Sequence, residues 1–293
     1  MKTPQIPAAN LAKAIGVSEL YLKREDLHHF GSHKGRSIPH MIDLYRKDGV
    51  SNFVISSSGN AALAAMYAVQ THNANSDRAP LTLRVYVGKK IPAEKLSVLR
   101  AVMNDRYVTL EQVENPKQQA FQMDKEKKAK NLRQSTDDSA LLGYKELAEE
   151  LSRIPNLAAV FIPTSSGTTA QALGEAFQTL DQHPQIHIVQ TTACHSIAEE
   201  FDTVWTKSDT SIASAIVDYV AHRKQAVIDI VKQSNGSGWV VTDQEIQTAM
   251  KLIQDTDNIV VSPNSALSIA GLIKSVKNSW TWNGVVAILV TGR

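Results

Sequence analysis

The sequence is poor in the features that mark extracellular and membrane proteins. It contains one cysteine, Cys194, which excludes an internal disulfide and is typical of a reducing cytoplasm. A catalytic thiol is the alternative for Cys194, although a lone cysteine is more often a small buried hydrophobic residue. No segment approaches the roughly 18 apolar residues of a membrane span, and the N-terminus lacks the apolar stretch of a signal peptide. We therefore expect a soluble, cytoplasmic protein without a membrane partner.

An excess of charge of either sign is also missing. The 31 basic and 29 acidic side chains leave a net charge of +2, which gives no electrostatic reason to expect nucleic acid as a partner. Hydrophobic residues make up 43% of the 293 residues, which is enough for one large or two moderate cores.

Short β-rich segments alternate with helix-length segments over most of the chain. The predicted strands, several of them continuous apolar runs, are 20–23, 53–56, 83–87, 107–110, 160–162, 186–190 and 285–290. The predicted helices are 61–70, 92–103, 140–151, 170–180 and 243–254. Repeated strand–helix units predict an α/β fold with mostly parallel sheets. The polar segment 115–134 is interpreted as a solvated surface helix, or as a connection between two domains.

Two segments in the first quarter of the chain contain residues that could take part in catalysis or ligand binding. In LKREDLHHFGSHKGR (22–36), a strand passes through a turn at Gly31 into a helix that begins near Lys34. On position alone Lys34 would be a solvated surface lysine. In ISSSGNAALAA (55–65), a strand ends in small polar residues and a helix begins at Gly59-Asn60, which suits a carboxylate or phosphate. Ordinary N-capping by Ser58 or Asn60 is the alternative.

Two later segments have the same strand-to-turn pattern. In FIPTSSGTTAQAL (161–173), backbone N–H groups and hydroxyls can surround a phosphate, and the residues that would do so are Ser165, Ser166, Gly167, Thr168 and Thr169. No Gly-Lys-Ser/Thr follows, so a nucleotide loop is disfavoured, and a plain capping loop is the alternative. In VVAILVTGR (285–293), a buried strand delivers Thr291 to the carboxyl edge of the sheet, where open α/β sheets bind ligands.

In this order the four segments resemble the fold-type II family of pyridoxal-phosphate enzymes. This family includes threonine synthase, serine and threonine dehydratases, cysteine synthase and the tryptophan synthase β-subunit. The likeness runs from Thr3-Pro4 to Thr291-Gly292 and includes two helices, 95–101 (KLSVLRA) and 143–150 (GYKELAEE). The motifs are most similar to those of threonine synthase.

The resemblance implies a role for each motif. GSHKGR resembles the family's GSFKDR, so Lys34 would hold pyridoxal 5′-phosphate as a Schiff base and act as the catalytic base. SSSGNAA resembles SSGNAA, in which the asparagine, here Asn60, hydrogen-bonds the cofactor. The residues that would face the substrate carboxylate are Ser57, Ser58, Gly59 and Asn60. The loop 165–169 would hold the cofactor phosphate, and Thr291 would meet the pyridine nitrogen.

The sequence departs from the family pattern at two of these positions. His33 replaces the usual phenylalanine, and Thr168 stands where glycine is common, so its backbone cannot freely adopt a positive φ. Ser265, in SPNSALSIAGL, resembles a family segment that lines the pocket floor. We interpret Ser265 mainly as a helix-capping residue, with a role in substrate binding as the alternative.

Four histidines and two arginines near Lys34 have simpler interpretations. The spacing of His28, His29, His33 and His40 matches no standard ligand pattern, so no metal site is expected. Arg24 and Arg36 either bind substrate anions or pair with nearby acidic residues.

The resemblance also implies the domain organisation and the reaction. A larger cofactor-binding domain would comprise residues 1–41 and 136–293, and a smaller inserted α/β domain, residues 42–135, would close over the substrate. Each would be a three-layer α/β domain. The implied activity is that of a threonine synthase-like lyase, which catalyses β-elimination or replacement on an amino acid, and the family habit is a homodimer. Serine/threonine dehydratase and cysteine synthase are the alternatives within the family. A catalytically silent regulatory homologue is the alternative of another class, favoured by the glycine-poor phosphate loop.

Overall fold

The computed structural model describes residues 2–75 and 79–292, and the chain divides into two compact units. The larger unit consists of Met1–His28 and Tyr144–Arg293, and the smaller unit of His29–Gly143. The strands are β1 (Gln5–Pro7), β2 (Glu19–Arg24), β3 (Asn52–Ser56), β4 (Thr82–Gly88), β5 (Val108–Val113), β6 (Lys130–Asn131), β7 (Leu157–Pro163), β8 (Gln185–Thr191), β9 (Ser237–Val241) and β10 (Val285–Val290). Within the described ranges, no helix combines the length and apolarity that crossing a bilayer requires.

The α-helices fill the connections between these strands. They are α1 (Ala9–Ile15), α2 (Lys34–Lys47), α3 (Asn60–Asn73), α4 (Ala93–Val102), α5 (Pro116–Lys125), α6 (Ser139–Leu142), α7 (Lys145–Leu151), α8 (Thr168–Phe177), α9 (Lys224–Gln233), α10 (Asp243–Asp257) and α11 (Pro263–Lys277).

The larger unit is built on a six-stranded sheet with the order β1-β2-β10-β7-β8-β9, in which only β1 runs antiparallel. All six residues of β10 are buried, because helices cover both faces of the sheet. The core on one face joins α1, α10 and α11 to the strands. Helices α8 and α9 pack against the strands on the other face.

The smaller unit has a parallel four-stranded sheet with the order β5-β4-β3-β6. Successive residues of β3 alternate between two cores: Phe53 and Ile55 pack with α2, α3 and α4, whereas Val54 packs with α5. This unit is therefore also a three-layer arrangement. The predicted α/β class with mostly parallel sheets is confirmed.

All seven predicted strands are present, and three short strands were missed. The missed strands are β1, β6 and β9. The predicted helix 140–151 is wrong as a single element, because it breaks into α6 and α7 at Gly143 and Tyr144. The polar segment 115–134 is helical only in α5, and its end forms β6, which pairs with β3.

The bounds of the two units differ from the predicted domains. Residues 29–41 and 136–143 were assigned to the larger domain, but in the structure they belong to the smaller unit. The reason is that α2 packs against α3 and α6, and the Ser37 hydroxyl donates a hydrogen bond to the carbonyl of Ala140 at 2.8 Å.

Candidate cofactor-binding site

In the larger unit, the predicted phosphate loop 165–169 connects the carboxyl end of β7 to the start of α8. Gly167 has a φ of 89°, and a Cβ atom there would lie 2.6 Å from Cγ2 of Val227, so both conformation and space require glycine. Gly167 is also the N-cap residue of α8 and has no side chain with which to cap the helix. The first turn of α8 therefore has no side-chain cap, and its N–H groups lie at the positive end of the helix dipole, which suits an anion.

The hydroxyl groups of the loop have different surroundings. Thr168 and Thr169 are buried, and Oγ of Ser166 lies 3.0 Å from Oγ1 of Thr168. The Ser165 hydroxyl instead donates to Oδ2 of Asp218 at 2.9 Å and accepts a hydrogen bond from the backbone N–H of Val217 at 3.1 Å. Ser165 thus ties the loop to the irregular segment 211–223, so its contribution to anion binding would come from its backbone.

Two buried polar residues that sequence reasoning missed support this loop. Oε1 of Gln190, at the end of β8, accepts hydrogen bonds from the N–H groups of Ile197 and Ala198, while its amide donates to the carbonyl of Ser165. Arg223 is 6% exposed and donates to Oε1 of Gln171, on α8, at 2.9 Å. Because a guanidinium stays charged at neutral pH, it places positive charge beside the N-terminal half of α8.

Thr291 lies directly after β10 and is buried. Because β10 and β7 are neighbouring parallel strands, Thr291 and the loop 165–169 follow adjacent strands at the same edge of the sheet. Ser265, in the first turn of α11, lies against Thr291 and Gly292. The interpretation of Ser265 as a helix-capping residue is wrong, because Ser262 is the N-cap of α11.

In the smaller unit, Lys34 is the first residue of α2. It follows a turn in which Gly31 has a φ of 74° and Ser32 is fully buried. Among the described residues, nothing accepts from or donates to the Ser32 hydroxyl. Since a buried polar group without a partner is costly, this hydroxyl is suited to a bound ligand.

The loop 57–60 follows β3 in the same unit, and Asn60 begins α3. The N–H of Gly59 donates to Oγ of Ser57 at 3.3 Å. Helix α2 leads into β3 and α3 leads out of it, and both pack on the same face of the sheet. Both helices therefore begin at the carboxyl edge of β3, which brings Lys34 and the loop 57–60 to one edge.

The four histidines near Lys34 are divided between the two units. His28 belongs to the larger unit and His29 to the smaller one, where the His29 ring contacts that of Phe30 at a centroid distance of 3.8 Å. Burial lowers the pKa of His29 below its ordinary value. His40 lies within α2, beside Gly143. Over residues 2–75 and 79–292, no group of three or more histidine, cysteine or acidic side chains is placed to hold a metal ion.

Comparison with known families identifies the chemistry that this arrangement serves. The family model described as pyridoxal-phosphate dependent enzyme matches residues 1–292. The chain belongs to this family. The cofactor predicted from the sequence, pyridoxal 5′-phosphate, is thereby confirmed as that of the family.

Curated members of the pyridoxal-phosphate enzyme family include relatives of two kinds. The threonine synthase of Methanocaldococcus jannaschii is 28% identical over 294 residues, which cover 93% of this chain and 69% of that enzyme. The L-serine dehydratase/L-threonine deaminase of Mus musculus is 26% identical over 290 residues, which cover 94% of this chain and 84% of the mouse enzyme.

A solved pyridoxal-phosphate enzyme confirms the fold. The crystal structure of an aspartate racemase superimposes with a TM-score of 0.82, covering 100% of this chain and 90% of the racemase at 18% identity. At this identity the likeness shows the architecture alone.

The residues of this chain fit pyridoxal phosphate. The uncapped start of α8 suits a phosphate, the Lys34 amine suits an aldehyde, and the buried Ser32 hydroxyl offers a hydrogen bond that no described residue uses. Two of these features, at Lys34 and Gly167, follow from sequence motifs. The Ser32 hydroxyl was missed, because only the packing of the turn shows that it is buried.

Proposed function

We propose that this protein is a pyridoxal-phosphate-dependent lyase that catalyses β-elimination or replacement on an amino acid, with threonine synthase-like activity. The observation that carries the proposal is the shared edge in the smaller unit, where α2 begins with Lys34 and α3 begins after the loop 57–60. This edge combines an amine with a turn that can bind a carboxylate. The threonine synthase relatives favour the same class of reaction.

Lys34 and the loop 57–60 would act on different parts of the substrate, its Cα proton and its carboxylate. Nζ of Lys34 would hold the cofactor covalently, and the Lys34 amine, when free, would accept the proton from the substrate Cα. The N–H groups at the start of α3 bind the substrate carboxylate, which fixes the orientation of the Cα bonds. When bound, pyridoxal phosphate supplies the electron sink for the bond that breaks. The Asn60 amide orients the cofactor ring.

Other cofactor contacts are proposed within the larger unit. There the N–H groups of the loop 165–169 would hold the phosphate, with positive charge from Arg223 beside α8. Thr291 would offer the pyridine nitrogen a neutral hydroxyl rather than a carboxylate. A hydroxyl does not enforce protonation of that nitrogen, which favours elimination at Cβ over transamination.

A serine/threonine dehydratase is the second candidate. The observation in its favour is the mouse L-serine dehydratase/L-threonine deaminase, whose identity to this chain is close to that of the threonine synthases. The two activities differ in their substrates, since a dehydratase eliminates water from serine or threonine, whereas a threonine synthase acts on a phosphorylated homoserine. A homodimer and a cytoplasmic location remain part of the proposal.

Reductive trapping tests the assignment of Lys34. The holo-protein is treated with borohydride and digested, and the peptides are searched by mass spectrometry for the reduced cofactor. We expect the label on Lys34 and no stable label in Lys34→Ala. Lys89→Ala, which changes an exposed lysine, is the matched control and should be labelled on Lys34 like the parent. A label on another lysine would contradict the assignment.

A substrate screen separates the candidate activities. The holo-protein is mixed with serine, threonine and O-phosphohomoserine, and keto acid, phosphate and threonine are measured. Release of phosphate with formation of threonine is expected, whereas keto acid from serine or threonine would indicate the dehydratase. A change in cofactor absorbance without any product would indicate the silent homologue and contradict the proposed lyase.

A further inference from the structure

Helix α11 presents a row of serine hydroxyls to the end of β10. Ser262, Ser265 and Ser268 are spaced three residues apart, so they lie along one side of the helix. The Ser268 hydroxyl donates to the carbonyl of Leu289 at 2.8 Å. The hydroxyls of Ser262 and Ser265 both donate to the carbonyl of Gly292 at 2.7 Å.

Ser265 makes the most complete contact of the three. Its Oγ donates to the carbonyl of Gly292 and also accepts a hydrogen bond from the N–H of Gly292 at 3.1 Å. The same oxygen lies 3.5 Å from Oγ1 of Thr291. Ser265 is fully buried, so water does not compete for these contacts.

The row replaces sheet hydrogen bonds that β10 lacks at its end. The pairing of β10 with β7 stops at Ile288 and Phe161, whereas its pairing with β2 continues to Val290. Val290 is the last residue of β10, and Gly292 beyond it forms only an isolated β-bridge, so the backbone here has fewer sheet hydrogen bonds than β10 itself. Ser265 supplies both a donor and an acceptor there, and so fixes the peptide that follows Thr291.

From this geometry we infer that Ser265 is a positioning residue that sets the place of the Thr291 hydroxyl. The inference deepens the proposed function and rests on it, because that function places the Thr291 hydroxyl at the pyridine nitrogen. Ser265 acts through Thr291 and needs no contact of its own with the cofactor. Its removal would let the end of β10 shift, and the Thr291 hydroxyl would lose its alignment.

A double-mutant cycle tests this role by measuring the affinity for pyridoxal phosphate, which depends on no substrate. The variants are Ser265→Ala, Thr291→Val and the two combined. Each single change should weaken binding by about 3- to 10-fold, the range expected for one lost hydrogen bond. The double variant should be no weaker than the weaker single variant, because Ser265 acts only through the Thr291 hydroxyl. The absorbance spectrum of the bound cofactor should change in the same way in all three.

Ser275→Ala is the matched control. Ser275 is also buried on α11, but among the described residues its hydroxyl bonds to the carbonyl of Leu272, in the preceding turn, and not to β10. It should bind the cofactor like the parent protein. If Ser265→Ala does not fold, Ser265→Cys replaces it in the cycle, because a thiol is similar in size but a much weaker donor.

Three results would count against the inference. If Ser265→Ala matches Ser275→Ala in affinity and spectrum, Ser265 has no positioning role. If the losses in Ser265→Ala and Thr291→Val multiply in the double variant, Ser265 acts independently of Thr291. Both results leave the proposed function intact, whereas a parent protein that does not bind pyridoxal phosphate overturns the proposed function together with the inference.

Discussion

Gly167 and Val227 are in direct contact, and this contact shapes the phosphate loop. Gly167 adopts a left-handed conformation with a φ of 89°, and its Cα faces Val227 of α9 so closely that a Cβ would lie 2.6 Å from Cγ2. The neighbouring Thr168 is the first residue of α8 and is absent from the residues with positive φ. The loop therefore needs one glycine rather than several, and Thr168 in place of a family glycine does not distort it.

Gly167→Ala should impair the loop in two ways. A left-handed alanine costs about 1–2 kcal/mol, and the contact with Val227 forces α9 or the loop to shift. We expect a lower free energy of unfolding in urea and at least a tenfold loss of cofactor affinity. The double variant Gly167→Ala/Val227→Ala should regain part of the affinity, because it removes the contact but not the strain in φ. Unchanged cofactor binding in Gly167→Ala would contradict this account of the loop.

Gly143→Ala should destabilise the smaller unit. A Cβ at Gly143 would lie 2.6 Å from Cα of Ser37 and 2.8 Å from the carbonyl oxygen of Arg36, both in α2. Backbone atoms cannot yield as a flexible side chain can, so we expect a loss of about 1–3 kcal/mol in urea unfolding. Gly88→Ala is the control, since nothing lies within 4 Å of its Cβ position. Equal stabilities of the two variants would show that α2 can move away from Gly143.

The strands that the sequence predicts each contain a run of apolar or β-branched residues. β10 is apolar at every position because helices cover both faces, whereas β3 and β8 contain shorter apolar runs, Phe53–Ile55 and Ile188–Val189. The missed strands lack such a run or begin with residues typical of turns. β1 has three residues and ends in proline, β6 has two polar residues, and β9 begins with Ser237-Gly238. The sequence also carries no signal for the break between α6 and α7 at Gly143, because this break results from close packing against α2.

The residues of the candidate site are likewise of two kinds: those that a sequence motif reveals and those that only the fold reveals. Lys34, Asn60 and Gly167 could be predicted because each lies in a local motif at the end of a strand. Asp218 and Arg223 lie in the irregular segment 211–223, which contains no motif, and their partners Ser165 and Gln171 are about 50 positions away in sequence. Only the tertiary fold brings such residues together, so one sequence cannot reveal them.

His187 predicts a specific dependence of stability on pH. It is fully buried, its ring stacks on Phe161 at 4.4 Å, and its Nδ1 accepts a hydrogen bond from the indole of Trp239. Burial lowers the pKa of His187 to about 3, so the folded protein keeps it neutral where the unfolded chain binds a proton. The stability from the neutral ring is complete above the unfolded pKa of about 6.5 and is lost as the pH falls towards 3.

Urea unfolding at pH 7.5 and pH 5.5 measures this effect. His187 should contribute a fall of about 1.4 kcal/mol over this interval, because pH 5.5 lies one unit below the unfolded pKa. His187→Gln should be less stable than the parent at both values, but its decrease between them should be smaller by that amount. The difference between the two decreases cancels the contributions of the carboxylates. Equal decreases would show that His187 is protonated in the folded protein.

Lys274→Met should be strongly destabilising because it leaves a buried carboxylate without its cation. Nζ of Lys274 lies 2.6 Å from Oδ2 of Asp202 and also donates to the carbonyl of Val240, and the two side chains of the ion pair are 16% and 9% exposed. Breaking a buried pair at one partner costs about 3–5 kcal/mol. Lys251→Met breaks an exposed pair with Asp255, whose side chains are 77% and 55% exposed, and should cost less than about 1 kcal/mol. Urea unfolding of both variants at pH 7.5 makes the comparison. If Lys274→Met loses no more stability than Lys251→Met, water reaches Asp202 and the link between α11 and β9 is not buried in solution.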